Sequence, residues 1–207
     1  MTRVAPVGPL IITKYYPTKT DGNRIETLIR LVGCSPRLVV TGTNQSNFNA
    51  NTQIGKTSLF KNPAWQSYLK KNELCCYHHN SHHGCMIDAD LSRAPVADIY
   101  VLDEIHSFLP GLIGLLDQNL LAGYGDDRSD GEVLMDFWEA VSRLSEAQRK
   151  LIFITALHPQ SLMIRNYLES PSIIRFFEQY RSSGGFRMLE AVFQSPILEL
   201  PERKQCL

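Results

Sequence analysis

Two adjacent carboxylates, Asp103 and Glu104, follow one of the most apolar runs of the sequence, residues 99–102. An apolar run of this length is typical of a buried β-strand, and side chains just beyond a strand end are available to a ligand. A carboxylate there can hold Mg²⁺, and its neighbour can orient or deprotonate a water that attacks a phosphate. The pair therefore predicts phosphoryl-transfer chemistry, with Asp103 as a magnesium ligand and Glu104 as the catalytic residue.

The first candidate for a phosphate-binding partner is the segment that follows the apolar run at residues 10–13. Here Lys19 would reach the β- and γ-phosphates, and the hydroxyl of Thr20 would join the Mg²⁺ shell. The segment departs from the G-x-x-x-x-G-K-[ST] pattern, because residues 15–18 read Tyr-Tyr-Pro-Thr where small residues would let backbone N–H groups surround a phosphate. Pro17 has no N–H to give.

The second candidate is the alternative loop Gly55, Lys56 and Thr57, at the end of residues 50–57, Ala-Asn-Thr-Gln-Ile-Gly-Lys-Thr. These residues fit [AG]-x-x-x-x-G-K-[ST], but a phosphate loop should leave its strand directly and open a helix. Eight residues, 42–49, separate the predicted strand at 38–41 from residue 50. The context therefore favours Lys19 and Thr20, and residues 55–57 remain the alternative.

A third group of chemically capable residues lies at 75–85, which contain three of the five cysteines and four of the six histidines. Four of them, Cys76, His79, His82 and Cys85, have a spacing that could supply a zinc site. Structural zinc sites usually combine two widely separated ligand pairs, and the sequence has no second cluster. The alternative is a polar loop before a strand at 85–88, with the thiols acting as small hydrophobes.

The elements that position these residues alternate along the chain. Apolar runs typical of buried strands occur at residues 10–13, 38–41, 85–88, 99–102 and 151–155, and helical periodicity occurs at 25–32, 63–71, 132–144 and 162–168. Continuous apolar strands separated by helices predict a three-layer α/β domain with a mainly parallel sheet. Ligands of such sheets bind at the carboxyl ends of the strands, where Thr155, His106 and His158 also fall.

The composition is that of an ordinary globular protein. The chain has 207 residues, 43% of them apolar, with 13 glycines and 11 prolines, which excludes the disordered and collagen-like classes. No apolar stretch reaches the roughly 18 residues of a membrane span, and we expect no membrane association. The odd number of cysteines and the absence of a secretory apolar core favour an intracellular, reducing compartment, either cytoplasm or nucleus.

The zero net charge is a cancellation between two halves. Residues 1–93 carry 11 basic and 5 acidic side chains, whereas residues 94–207 carry 10 and 16. The N-terminal half is therefore net +6 and the C-terminal half net −6. Since nucleic-acid binding depends on cations that replace condensed counterions, the basic half is a candidate DNA-binding face.

Taken in order, these segments resemble the first motor lobe of superfamily 2 helicases, and in particular the herpesvirus-type replication origin-binding helicases. Residues 10–20 look like the Walker A strand and loop, and residues 98–106, Asp-Ile-Tyr-Val-Leu-Asp-Glu-Ile-His, look like Walker B in its D-E-x-H form. Residues 36–41 look like the next strand, residues 85–93 resemble the strand and turn before Walker B, and residues 151–159 with 162–169 are similar to the coupling motif. The glycines of Walker A are missing, and residues 155–157 only approximate the usual Ser-Ala-Thr.

The resemblance implies a P-loop NTPase (RecA-like) domain over residues 1–180, with residues 181–207 as a C-terminal extension or the truncated start of a second lobe. It implies binding of ATP with Mg²⁺, ATPase activity, a role in DNA replication, and coupling to a second lobe through Thr155 and His158. A complete motor needs both lobes, because the second donates the arginine finger. We therefore expect an incomplete motor that requires a second helicase lobe or partner subunit.

Two alternatives remain open. The chain is also similar to thymidine-kinase-like nucleoside kinases, which share a D-E pair after a buried strand but carry a glycine-bearing loop and a late four-cysteine zinc lobe, where this sequence has only Cys206. The other alternative is a catalytically inactive nucleic-acid-binding or zinc-stabilised interaction protein. Near the end of the chain, residues 181–186 followed by residues 188–193 could add an edge strand or begin a truncated second lobe.

Overall fold

The computed structural model describes residues 21–79, 82–83, 86–111 and 129–201. The helices in these ranges are α1 (Asp21–Cys34), α2 (Pro63–Lys71), α3 (Asp130–Glu146), α4 (Leu162–Leu168), α5 (Pro171–Gln179) and α6 (Ser183–Phe193). The strands are β1 (Arg37–Gly42), β2 (Cys76–His79), β3 (His82–His83), β4 (Met86–Ile87), β5 (Ile99–Leu102), β6 (Lys150–Ile154) and β7 (Ile197–Leu200). Short 3-10 helices occupy Asn49–Asn51, Thr57–Lys61 and Ile105–Phe108. The predicted strand and loop at residues 10–20, with Lys19 and Thr20, lie outside the described residues.

Among the described residues, five parallel strands form one sheet in the order β2-β5-β6-β1-β7. The strand β1 lies between β6 and β7, so that Val39 is aligned with Phe153 on one side and Ile197 on the other. The prediction of an α/β fold with a parallel sheet is confirmed.

The strand predicted at residues 85–88 is wrong as a member of this sheet. Met86–Ile87 instead pairs antiparallel with His82–His83 in a separate two-stranded ribbon. The sheet strand in this region is β2, in the segment interpreted as a polar loop. As an edge strand β2 is only partly buried, and it therefore lacks the continuous apolar run by which a central strand such as β5 is recognised.

Helices cover both faces of the sheet, because the side chains of each strand alternate between two cores. On the first face, α1 and α2 pack against Leu38 and Val40 of β1 through residues that include Leu28 and Trp65. On the second face, α3 and α6 are part of a core that includes Val39. The longest of the described helices, α3, has 17 residues, and none of these helices is long and apolar enough to cross a bilayer.

Local sequence signals explain where several helices begin. The hydroxyl of Ser129 accepts the backbone N–H of Glu132, and the carboxylate of Glu132 accepts the backbone N–H of Ser129, which is a capping box at the start of α3. The side chains of Asn62 and Ser161 cap α2 and α4 without a reciprocal bond, each accepting one backbone N–H.

The C-terminal segment completes the sheet and the second helical layer. The predicted edge strand at residues 188–193 is wrong, since these residues belong to α6, and the strand that extends the sheet is β7. Gly185 lets α6 approach α3 closely, because a Cβ at this position would lie 3.1 Å from the Cβ of Trp138. Residues 183–200 fall in the range assigned from sequence to a C-terminal extension or the truncated start of a second lobe, and they share the sheet and core of the preceding residues.

Because α6 is buried, we expect truncation of a leucine on α6 to lower the stability of the protein much more than truncation of an exposed leucine. Leu189 on α6 is fully buried, whereas Leu162 at the start of α4 is 71% exposed. We expect Leu189→Ala to lower the free energy of unfolding by about 2–5 kcal/mol, as deletion of a buried leucine does. Leu162→Ala makes the same chemical change at the surface and should cost no more than about 0.5 kcal/mol. Urea denaturation checks both, and equal losses would contradict the packing of α6 in the core.

Candidate functional site

The carboxyl ends of β1 and β6 form a crevice where the winding of the sheet reverses. The chain leaves β1 toward α2 on the first face, and it leaves the neighbouring β6 toward α6 on the second face. In open parallel sheets a ligand binds at such a switch point, outside the carboxyl ends of the strands. Loops at residues 43–56, 103–108 and 155–161 therefore surround the expected binding site.

Asp103 is joined to the loop after β1 by a short hydrogen bond. Its Oδ2 accepts the hydroxyl of Thr57 at 2.7 Å, and its Oδ1 accepts the backbone N–H of Glu104 at 2.9 Å. Nε2 of His78 lies 3.4 Å from the same Oδ2. Burial alone would raise the pKa of Asp103, but the hydrogen bonds from His78 and Thr57 outweigh it and lower the pKa below its usual value. Asp103 is therefore ionised at neutral pH.

Glu104 is adjacent to Asp103, but its pKa is shifted in the opposite direction. Burial and the charge of Asp103 raise the pKa of Glu104 to about 7, against the opposing charge of Lys56. Nε2 of His106 lies 3.1 Å from its carboxylate. The backbone of Glu104 is left-handed, with φ 53° and ψ 41°, and about a third of its side chain, 34%, is exposed. A carboxyl group that titrates near neutrality suits proton transfer at physiological pH.

Lys56 is buried beside these two carboxylates. Only 5% of the residue is exposed, and its ammonium group donates to the backbone carbonyl of Asn51. Burial lowers the pKa of Lys56, while the charges of Glu104 and Asp103 act against this shift. The preceding Gly55 has a φ of 91°, which glycine adopts at little cost and which turns the chain into the 3-10 helix that begins at Thr57.

The Asn51 side chain returns the loop to the edge of the sheet. Its Nδ2 donates to the carbonyls of Asn44, at 2.6 Å, and Ala156, at 3.0 Å, while its Oδ1 accepts the N–H of Asn44 at 3.1 Å. Residues 44–51 therefore form a closed loop whose two ends are hydrogen-bonded to each other. This closure explains how Lys56 lies beside β5 although eight residues precede the motif. Sequence reasoning missed Asn51, because no local pattern separates it from the neighbouring asparagines.

The structure thus brings together four of the predicted site residues, Lys56, Thr57, Asp103 and Glu104, and leaves the preferred pair Lys19 and Thr20 outside the described part of the chain. Thr57 and Asp103, with an alcohol and a carboxylate oxygen 2.7 Å apart, are the oxygen donors that Mg²⁺ prefers.

The two predicted coupling residues are buried and bonded within the fold. The Oγ1 of Thr155 accepts the N–H of Leu157 at 2.9 Å. Nε2 of His158 lies 2.9 Å from Oε1 of Glu199 on β7, and its Nδ1 accepts the N–H of Gln160. His158 therefore connects the ends of β6 and β7.

The proposed zinc ligands Cys76 and His79 do not converge. They are three residues apart in β2, so their side chains lie on opposite faces of the sheet. Burial raises the pKa of the Cys76 thiol to about 11, despite a hydrogen bond with Trp65, and Nε2 of His79 lies 2.8 Å from the carbonyl of Asp88. The side chain of His82 and all of Cys85 lie outside the described part of the chain. The described residues contain no group of three His, Cys, Asp or Glu that could hold a metal.

No protein-family model matches this sequence, and comparison with curated proteins finds no significant match. A proposal for function therefore rests on the geometry of the crevice.

The raised pKa of Glu104 predicts a pH-dependent gain of stability in Glu104→Gln. The folded state holds a proton on Glu104 up to about pH 7, whereas the unfolded chain releases it near pH 4.5. The contribution of this proton to the free energy of unfolding is fully present below pH 4.5 and is lost as the pH rises through 7. The ionised carboxylate therefore destabilises the fold at pH 8. We expect Glu104→Gln to raise Tm relative to the wild type at pH 8, with the gain shrinking toward pH 4.5.

Thermal melts across this range measure the effect, and Glu178→Gln, on the exposed side of α5, is the matched control. A Tm difference for Glu104→Gln that does not change with pH would contradict the assigned protonation.

Proposed function

We propose that the chain is a P-loop NTPase-like protein that binds a Mg²⁺-nucleoside triphosphate in the crevice between β1 and β6. The observation that carries the proposal is the 2.7 Å hydrogen bond between Thr57 and Asp103. It joins the G-K-T sequence after β1 to the D-E sequence after β5. Two motifs selected independently from the sequence for complementary steps of phosphate chemistry are thus in direct contact.

In this proposal each side chain of the site has its own role in binding or hydrolysis. Lys56 contacts the β- and γ-phosphates, after its ammonium exchanges the carbonyl of Asn51 for phosphate oxygens. Thr57 and Asp103 hold Mg²⁺, which neutralises charge on the phosphates. Glu104 positions the attacking water and takes its proton, for which a pKa near 7 is well suited. In this proposal residues 55–57 replace Lys19 and Thr20 as the phosphate loop.

Hydrolysis by the isolated chain is slow. An arginine finger contributes about 10³ to 10⁵ in rate, and the resemblance to a helicase lobe places that residue in a second lobe or partner subunit. In this proposal the chain is a nucleotide-binding, helicase-lobe-like protein of DNA replication that works with a partner.

A basic surface on the first face supports an interaction with DNA. The exposed cations of α1, α2 and the adjoining 3-10 helix are Arg30, Lys61, Lys70 and Lys71. Both helices belong to the same core, so these charges lie on one side of the sheet. A surface of this kind can contact a phosphate backbone without reading its sequence.

The first test is nucleotide-dependent stabilisation in a matched pair of lysine variants. Mg-ATP at 100 times its Kd should stabilise the wild type by about 2.7 kcal/mol. We expect Lys56→Met, which keeps most of the buried volume, to abolish this gain, and Lys61→Met, at an exposed position nearby, to retain it. Differential scanning fluorimetry with Mg-ATP, Mg-GTP and thymidine measures the shifts.

The same assay separates the alternatives. If Lys19→Ala abolished the shift and Lys56→Met retained it, the phosphate loop would be residues 15–20. A shift with thymidine would favour the nucleoside kinase, and no shift with any ligand in the wild type would refute nucleotide binding.

The second test is the salt dependence of DNA affinity. The slope of log K against log salt is roughly 0.9 for each phosphate contact on duplex DNA. We expect the double variant Lys70→Ala/Lys71→Ala to lower this slope by about one to two, as measured by fluorescence anisotropy with a duplex of arbitrary sequence. Arg175→Ala/Arg187→Ala removes two exposed charges from the second face and should leave the slope unchanged. A flat salt titration of the wild type would refute binding through phosphates.

A further inference from the structure

A pocket of about 560 Å³ opens beside the crevice, between the loop after β1 and the start of α4. Its lining includes Gln45 and Phe48 from the first segment and Gln160, Leu162, Met163 and Arg165 from the second. This volume is within the 300–1,000 Å³ typical of small-molecule sites. None of these residues has a part in the phosphate chemistry described above.

Two successive contacts connect the pocket to the carboxylate pair. The ring of Phe48 meets the ring of His106 edge to face, with centroids 5.1 Å apart and an interplanar angle of 76°. Nε2 of His106 in turn lies 3.1 Å from the carboxylate of Glu104. A ligand in the pocket would therefore lie close to the site proposed for the phosphates.

The two glutamines present a paired hydrogen-bonding edge. Both residues line the pocket, Nε2 of Gln45 donates to Oε1 of Gln160 at 3.2 Å, and Gln45 is exposed. This bond uses one end of each amide and leaves the Oε1 acceptor of Gln45 and the Nε2 donor of Gln160 as further hydrogen-bonding groups of the pocket lining. An amide acceptor and an amide donor can pair with the donor and the acceptor that are adjacent on the edge of a nucleobase.

The remaining lining suits a flat, weakly polar ring. Leu162 and Met163 are 71% and 45% exposed, and both belong to the few large hydrophobic residues exposed among those described. Phe48 is half-buried, and Arg165 is exposed at the same rim. Aromatic, aliphatic and guanidinium surfaces stack on the face of a base, while amides read its edge. An aliphatic ligand would leave the amides unpaired, and a uniformly polar ligand would leave the apolar side chains unused.

We propose that this pocket binds a single nucleobase, with Gln45 and Gln160 hydrogen-bonded to its edge and Phe48, Leu162 and Met163 against its face. The base has two possible sources, the nucleotide whose phosphates occupy the crevice or an unpaired residue of single-stranded nucleic acid. In the first case the inference rests on the proposed nucleotide binding, and in the second it does not.

Binding measurements with three probes test the proposal. The probes are Mg-ATP, Mg-tripolyphosphate, which has no base, and a 15-mer of single-stranded DNA containing 5-iododeoxyuridine. The variants are Gln160→Ala and Leu162→Ala, with Gln179→Ala and Val96→Ala as controls that make similar changes at exposed positions of α5 and of the loop before β5. Calorimetry or anisotropy gives each Kd, and photocrosslinking followed by peptide mapping locates the iodinated base.

Loss of one hydrogen bond to the base should weaken binding about fivefold to tenfold. A base from the nucleotide predicts this loss for Mg-ATP and no change for Mg-tripolyphosphate in Gln160→Ala. A base from a single strand predicts the loss for the 15-mer and a crosslink within residues 44–48 or 160–165. The proposal is overturned if the pocket variants bind every probe as the control variants do and the crosslink maps elsewhere.

The measurements with Mg-tripolyphosphate distinguish failure of this inference from failure of the proposed function. If Mg-tripolyphosphate binds the wild type and Lys56→Met equally, the phosphate site is wrong, and the 15-mer still decides the pocket. If Lys56→Met loses Mg-tripolyphosphate while the pocket variants match their controls, the phosphate site stands and the base site is wrong.

Discussion

The hydrogen bonds of one buried amide, that of Asn51, determine the geometry of the whole crevice. The residue is completely buried, and an amide removed from water without partners costs about 1–3 kcal/mol, so its position is fixed by the groups that satisfy it. Those groups are the backbone of Asn44 and the carbonyl of Ala156. The first closes the loop after β1, and the second attaches that loop to the end of β6. Gly42 is part of the same constraint, because a Cβ there would lie 2.0 Å from Oδ1 of Asn51.

The charges of the crevice follow from this arrangement. With the loop closed, Lys56 is buried next to two adjacent carboxylates, whose pKa values are shifted in opposite directions. Asp103 has hydrogen-bond donors and remains ionised, while the pKa of Glu104 rises because of burial and its charged neighbour. Environments that separate the pKa values of two neighbouring acids assign them different chemical roles.

Sequence patterns were sufficient where burial is continuous or periodic. The central strands β1, β5 and β6 are buried at every position except the first of β1 and of β6. The helices α2 and α4 begin and end at the predicted residues, each after a capping side chain. The edge strand β2 could not be recognised, because a half-buried strand can carry polar residues such as His78. The helix α6 was misread because its two glycines are poor helix formers, and Gly185 is explained by tertiary packing, since a Cβ there would meet Ser182 and Trp138.

The candidate site shows the same division. The chemical types of Lys56, Thr57, Asp103 and Glu104 were evident from the sequence, and so was the strand that ends at Asp103. Their contact was not, since it depends on a loop closure whose bonds join residues 7 and 105 positions apart. Local spacing rules assume that a phosphate loop follows its strand directly, and here a tertiary hydrogen bond replaces that continuity.

The His158 and Glu199 pair limits how the crevice can move. It joins the ends of β6 and β7, and β1 lies between these strands, with the hydroxyl of Thr41 bonded to the carbonyl of Leu157. The last residues of β1 therefore lie between two strand ends, those of β6 and β7, that are bonded to each other. The strand ends therefore act as a fixed frame, and a rearrangement that admits a ligand would take place in the loops beyond them.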